Sequence, residues 1–200
     1  MNTNESKTRM IIDENALPEH FPTHAIDSYF WECLGRTIAS FGFLEEVLVK
    51  AIFAFTATKK YKEEEIEEAY SEWIPKLERS LSDQLGGLIN TYGKAVRDNP
   101  ESTIDNLDDL ILDLQAASKM RNVLCHGSWR YPDENKASIP FFVSRQKEIF
   151  ETPIDINFLK QVNKHAVELS CNVINSVTHM GWQFTSTSGP GKPIWGYGET

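Results

Sequence analysis

The stretch of this chain best equipped for chemistry is Arg121-Asn122-Val123-Leu124-Cys125-His126, which sets a permanent cation and a titratable imidazole five positions apart. Lys119 precedes it, Arg130 follows it, and no Asp or Glu occurs from Leu114 to Pro132. In a chain of net charge −9, whose averaged field repels polyanions, this window is the best site for an anion. Opening an RNA phosphodiester without a metal requires a base for the 2′-hydroxyl, an acid for the leaving oxygen and positive charge at the phosphorane. His and Arg suit those roles. One chain offers one such histidine, so the chemistry points to a symmetric homodimer that places two of these segments face to face. Trp129 and Tyr131, beside the window, could stack a base. As residues of a short strand they could equally be packing.

The window must end a helix. At 100° per residue, Arg121 falls about 40° from Leu107 and so inside that helix's apolar stripe. A guanidinium there cannot be neutralised, so it must pair with an acid such as Glu45 or Glu46, reach water, or meet an anionic ligand. On an unbroken helix Arg121 and His126 diverge by about 140°. Joint action within one chain would need the last turn to loosen, for which Gly127, at the position after the helix, is suited. Plain structural readings stand beside the chemical ones. His126 can be an imidazole favoured by the helix dipole, Asn122 a polar helix-end residue and Cys125 a buried thiol.

Residues 1–24 are polar, carry Pro18 and Pro22, and are expected to be irregular and mobile. Ile26, Phe30, Leu34, Ile38, Phe41, Leu44, Leu48, Ile52 and Phe55 then recur every three or four positions, which predicts one helix of about eight turns. Gly35 and Gly42, one heptad apart on it, suit close approach of another helix. Residues 62–72 form an acidic, helix-favouring run that Pro75 is expected to break or restart. Leu77, Leu81, Leu85, Leu88, Tyr92 and Val96 predict a second core helix, with a kink at Gly86-Gly87. Ser102 and Asp105 resemble a capping box opening the third, which runs through Leu107, Leu110, Ile111, Leu114 and Ala117 to the window. Short β-favouring runs over about 128–151 predict a small hairpin insertion. Phe158 to Met180 predicts the last core helix, stopped by Gly181. The expected fold is therefore mainly all-α: a four-to-five-helix antiparallel bundle over residues 25–180, with a β-hairpin insertion between the third and last core helices and a Gly/Pro/aromatic tail at 181–200.

Bulk properties narrow the class. Apolar residues at 40% and charged ones at 24% fit a globular chain. No apolar run is long enough to span a bilayer and the start does not read as a signal peptide, so a cytoplasmic location without membrane contact is expected. Cys33, Cys125 and Cys171 lack disulfide or zinc spacing. His20 and His24 are separated by Pro22, which spoils the helix that would align them as metal ligands. Ser186 and Pro193 break the phosphate-loop pattern around Ser188-Gly189-Pro190-Gly191-Lys192. No metal or cofactor is expected.

Arg121, a following polar residue and His126, closing one helix of a bundle, resemble the R-x4-6-H motif of the HEPN superfamily. The resemblance in architecture covers roughly residues 25–180. It implies a dimeric, metal-independent endoribonuclease of toxin, defence or RNA-processing type, in which Arg121 binds the phosphate, Asn122 orients it and His126 is the acid and base. Lys119, Arg130, Trp129 and Tyr131 would then contact RNA. Implied partners are RNA or a nucleotide, a second copy of the chain and an antitoxin or regulatory protein. Some members of that superfamily bind nucleotides or regulate a partner without cleaving RNA, which leaves a non-catalytic module as the alternative.

Overall fold

The structure, a computed structural model, describes residues 10–58 and 62–184, and of residues 76, 77, 80 and 81 the backbone only. Helix α1, Ser28–Ala57, begins where the Asp27 carboxylate accepts the Tyr29 N–H at 2.8 Å. Its 30 residues span about 45 Å. Phe30, Leu34, Phe41, Leu44, Leu48, Ile52 and Phe55 are all buried along one side, as the single stripe requires. At its far end the buried Asn99 side chain donates to the Phe55 carbonyl at 2.8 Å, satisfying a terminal acceptor that the helix cannot.

Helix α2, Ile66–Ser82, runs through Pro75 instead of ending there. The chain breaks later, at Asp83 and Gln84, which are both extended, and resumes as α3, Leu85–Arg97. Gly86 and Gly87 therefore lie in the first turn of α3, not at a mid-helix kink. Helix α4 covers Leu107–His126, starting five residues after Ser102; Asn106 takes the N-cap position without a side-chain bond. Helix α5, Ile156–His179, is capped by Asp155, which accepts the Phe158 N–H at 2.7 Å. Gly181, at φ 77°, supplies the left-handed residue just beyond its end.

Contacts fix the directions. Thr37 donates to the Leu159 carbonyl while Phe55 meets Trp182 further on, so α1 and α5 run parallel. Tyr92 meets Phe55, and Asn99 reaches the end of α1, so α3 follows the same direction. Gly93 faces Ile111 and Gly86 faces Ser118, which makes α4 antiparallel to α3. With α2 returning the chain from the end of α1 to the start of α3, successive helices alternate. The core runs along the α1 stripe between α3, α4 and α5, and includes Tyr92, whose hydroxyl donates to Ser176 at 2.7 Å.

No strand forms among the described residues, so the expected β-hairpin at 128–151 is replaced by an irregular excursion. It is held by three isolated antiparallel bridges, Ser128 with Phe141, Ser138 with Ile154 and Val143 with Ile149. Pro132 and Pro140 each remove an N–H that a ladder in the register of these bridges would need. Where a ladder fails, a side chain substitutes: the Ser138 hydroxyl accepts from the Arg130 N–H and donates to the Arg130 carbonyl. The β-propensity of the segment was real, but the prolines limit pairing to single bridges.

Residues 10–27 contain one short 3-10 turn, Glu14–Ala16, and are tied down by the Trp31 indole N–H, which donates to the Thr23 carbonyl at 3.0 Å. At the other end Trp182 and the buried Phe184 dock on the core. Trp195, Tyr197 and the Ser188–Lys192 stretch lie outside the described residues.

Candidate functional site

Helix α4 stays regular to its last residue, His126, and Gly127 N–H closes onto the Val123 carbonyl at 2.8 Å. The loosened last turn is not present. Gly127 lies at φ −70° and ψ 137°, an extended conformation open to any residue, and not in the left-handed region expected for it. Its lack of a side chain serves space instead: a Cβ there would fall 2.6 Å from the Val123 carbonyl oxygen and 2.7 Å from Pro140 Cβ. The glycine lets the outgoing chain pass between the end of α4 and the excursion.

Arg121 is 22% exposed and Glu45 on α1 is 28% exposed, and their Nη2 and Oε1 atoms are 3.3 Å apart. The core-facing position inferred from the helical wheel therefore receives an acidic partner. The contact is ionic more than a well-aligned hydrogen bond, because that Glu45 oxygen is buried and has no hydrogen bond of good geometry. The Asn122 amide oxygen adds a long contact of 3.4 Å from Arg121 Nη1. A guanidinium carries five N–H donors, so these two contacts leave others for a ligand. His126 is exposed, as is Lys119. With the helix unbroken, Arg121 and His126 remain about 140° apart around its axis, so a single chain does not bring them together on one atom.

The flanking residues divide. Trp129 packs edge-on against Phe30 at 5.0 Å and Trp31 at 6.0 Å, which makes it a packing residue at the start of α1 and not a free stacking surface. Tyr131 is 75% exposed, with its ring edge-on to His24 at 6.1 Å, and His24 stacks with Phe21 at 5.8 Å. Arg130 points its guanidinium at the half-exposed Phe141 ring, 5.1 Å from the centroid.

Four contributors were weakly marked in the sequence. Glu45 announces itself only as an acid on the shoulder of an apolar stripe, between Leu44 and Val47. His24 and Phe21 belong to a stretch whose prolines conceal that it docks. Ser138 carries no signal, since its role depends on a bridge 16 residues away. Among the described residues, no group of three or more His, Cys, Asp or Glu side chains is placed to hold a metal, and no helix is long and apolar enough to cross a membrane. No protein-family model, curated protein or solved structure matches the chain.

Proposed function

We propose that the chain is a HEPN-like endoribonuclease that works as a homodimer without a metal, with Arg121, Asn122 and His126 as its reacting constellation. The observation that carries this reading is an exposed imidazole and an anchored guanidinium at one end of one helix, inside a window free of Asp and Glu. Glu45 anchors Arg121 by one edge of its planar fork and leaves remaining donors for a phosphate oxygen. His126 of one subunit takes the proton of the ribose 2′-hydroxyl as its oxygen attacks phosphorus. The bond to the 5′-oxygen then breaks, and His126 of the partner subunit returns a proton to that leaving oxygen. The products are a 2′,3′-cyclic phosphate and a 5′-hydroxyl. Arg121 stabilises the charge that builds on the non-bridging oxygens. Tyr131, Arg130 and Lys119 extend the contact along the RNA.

A second reading is favoured by one observation. The Arg121–Glu45 contact already compensates the guanidinium, as it would in a module that binds a nucleotide or RNA end, or a regulatory partner, without turnover. Incubating wild type and His126→Ala with end-labelled RNA in EDTA separates the two. The ribonuclease reading expects cleavage by wild type and a loss of at least about 100-fold in the variant. RNA retention with no turnover by either protein supports the second reading, and equal cleavage by both overturns the first.

A further inference from the structure

Helix α1 carries an outer face that nothing among the described residues covers. Gly35, Ala39 and Gly42 are exposed there, and no atom lies within 4 Å of where a Cβ would sit on either glycine. Phe43, on the same side, is 48% exposed. Two glycines at exposed positions of a helix each cost about 1 kcal/mol relative to alanine, and Phe43 next to them leaves about half of its surface in solvent. The close helix approach for which they are suited is therefore not made among the described residues.

Charges on this face supply the identity of the partner. Glu32 pairs with Arg36, four residues on, at 2.9 Å, and Glu46 pairs with Lys50 at 2.6 Å. The order along the helix is acid, base, acid, base. When a second α1 is laid antiparallel across the first, centred on position 41, Arg36 meets Glu46 and Glu32 meets Lys50, twice over by symmetry. Phe43 of each copy then stands at the level of Ala39 of the other, with the glycines lining the opposite edge of the contact. A parallel arrangement in register would instead set like against like at every position.

We infer that the outer face of α1 is the homodimer interface, formed by two antiparallel copies of α1 centred near residue 41. This proposal rests on the ribonuclease reading only for its functional meaning. Face-to-face packing of antiparallel helices needs a two-fold axis lying across both helices in the plane of contact, and such an axis keeps α4 and its symmetry mate on the same side of the dimer. Arg121 sits beside Glu45, about 6 Å along α1 from the centre. Because α4 runs oppositely, His126 lies about 7.5 Å further along α4, on the side of Arg121 that faces the start of α1. The interface that α1 favours for its own reasons therefore sets both copies of α4, and with them Arg121 and His126, on one edge of the dimer.

Sedimentation equilibrium on wild type, Arg36→Glu, Glu46→Lys and an equimolar mixture of the two variants tests this. Each variant alone opposes like charges at two places, and the mixture restores both pairs in a heterodimer. The expected result is a dimeric wild type, single variants whose dimer dissociation constants rise about 100-fold, and a mixture that regains wild-type association. All three proteins should be folded alike at 25 °C by circular dichroism, since the substituted side chains are largely exposed, with the variants melting lower only by what association contributes. A wild type that remains monomeric, as it would if another segment of its own chain covered the face, overturns the inference. So does a dimer indifferent to both variants; the ribonuclease reading would survive that result, with a different interface. RNA cleavage that returns in the mixture and is absent from either variant alone ties the interface to the site. A restored heterodimer that does not cleave, from a wild type that does not cleave either, leaves the interface standing and counts against the ribonuclease reading.

Discussion

Replacing Gly127 by alanine isolates what the end of α4 requires. The backbone at Gly127, φ −70° and ψ 137°, accepts any residue, so a left-handed strain term is absent. Taken alone, alanine there would stabilise by about 0.4–1 kcal/mol through restriction of the unfolded chain. Against this stand two contacts shorter than atoms tolerate, Cβ to the Val123 carbonyl oxygen at 2.6 Å and to Pro140 Cβ at 2.7 Å. Neither is the free end of a flexible side chain. Overpacking of this kind costs about 1–3 kcal/mol, and displacing Gly127 also disturbs its bond to Val123, worth about 1 kcal/mol. The net expectation is a loss of about 1–3 kcal/mol, or a fall of about 2–10 °C in melting temperature for a chain of this size. Urea denaturation and a thermal melt read it. Gly86→Ala provides the control: its Cβ would meet only Ser118 Oγ at an ordinary 3.7 Å, so stability should hold or rise by up to about 1 kcal/mol. A Gly127→Ala protein as stable as wild type would refute the steric account of that glycine.

Other outcomes follow from packing and burial. Trp129→Ala should cost about 3–5 kcal/mol, because the indole is embedded against Phe30 and Trp31. Tyr131→Ala, at an exposed position, should change stability by less than about 1 kcal/mol while weakening retention of single-stranded RNA by about 1–3 kcal/mol; the opposite pattern in melting and filter binding would reverse the roles assigned to the two aromatics. Burial pushes the Tyr92 phenol up to about 12, with its bond to Ser176 acting in the lowering direction. A folded-state value above the ordinary 10 means that the contribution is fully present below pH 10 and is lost as pH rises towards 12, by a few kcal/mol at most. Tyr92→Phe should flatten stability between pH 10 and 12 relative to wild type, and an unchanged slope in denaturation at those pH values would show that another group is responsible.

Elements governed by local periodicity were the legible part of this chain. The stripe from Phe30 to Phe55 becomes one buried side of α1, and the repeat from Leu159 to Val177 becomes the inner side of α5, because burial along a helix depends only on spacing. Punctuation was harder to read. Pro75 stops nothing, while Asp83 and Gln84, with no strong breaker signature, separate α2 from α3. Ser102 and Asp105 look like a cap, yet α4 begins at Leu107, the first buried residue of the segment. In the candidate site, Arg121's position facing the core was legible from the helical wheel, and Glu45 was one of two acids that could meet it. The role of Gly127 was not legible, since its neighbour Pro140 is distant in sequence and its backbone angles are ordinary. The excursion from 128 to 155 shows the limit most clearly: short β-favouring runs suggested a hairpin, and single bridges stand in its place because Pro132 and Pro140 fall where a ladder would need an N–H.

The proposed function requires that two copies of His126 open RNA through its own 2′-hydroxyl. The most direct measurement is the chemistry of the cut ends, taken in EDTA from one labelled oligonucleotide and from a copy with deoxyribose at the cleaved position. The expected result is 2′,3′-cyclic phosphate and 5′-hydroxyl ends from the first and no cleavage of the second, with His126→Ala inert on both. Cleavage of the deoxy-substituted copy, or 3′-hydroxyl and 5′-phosphate ends, would contradict it.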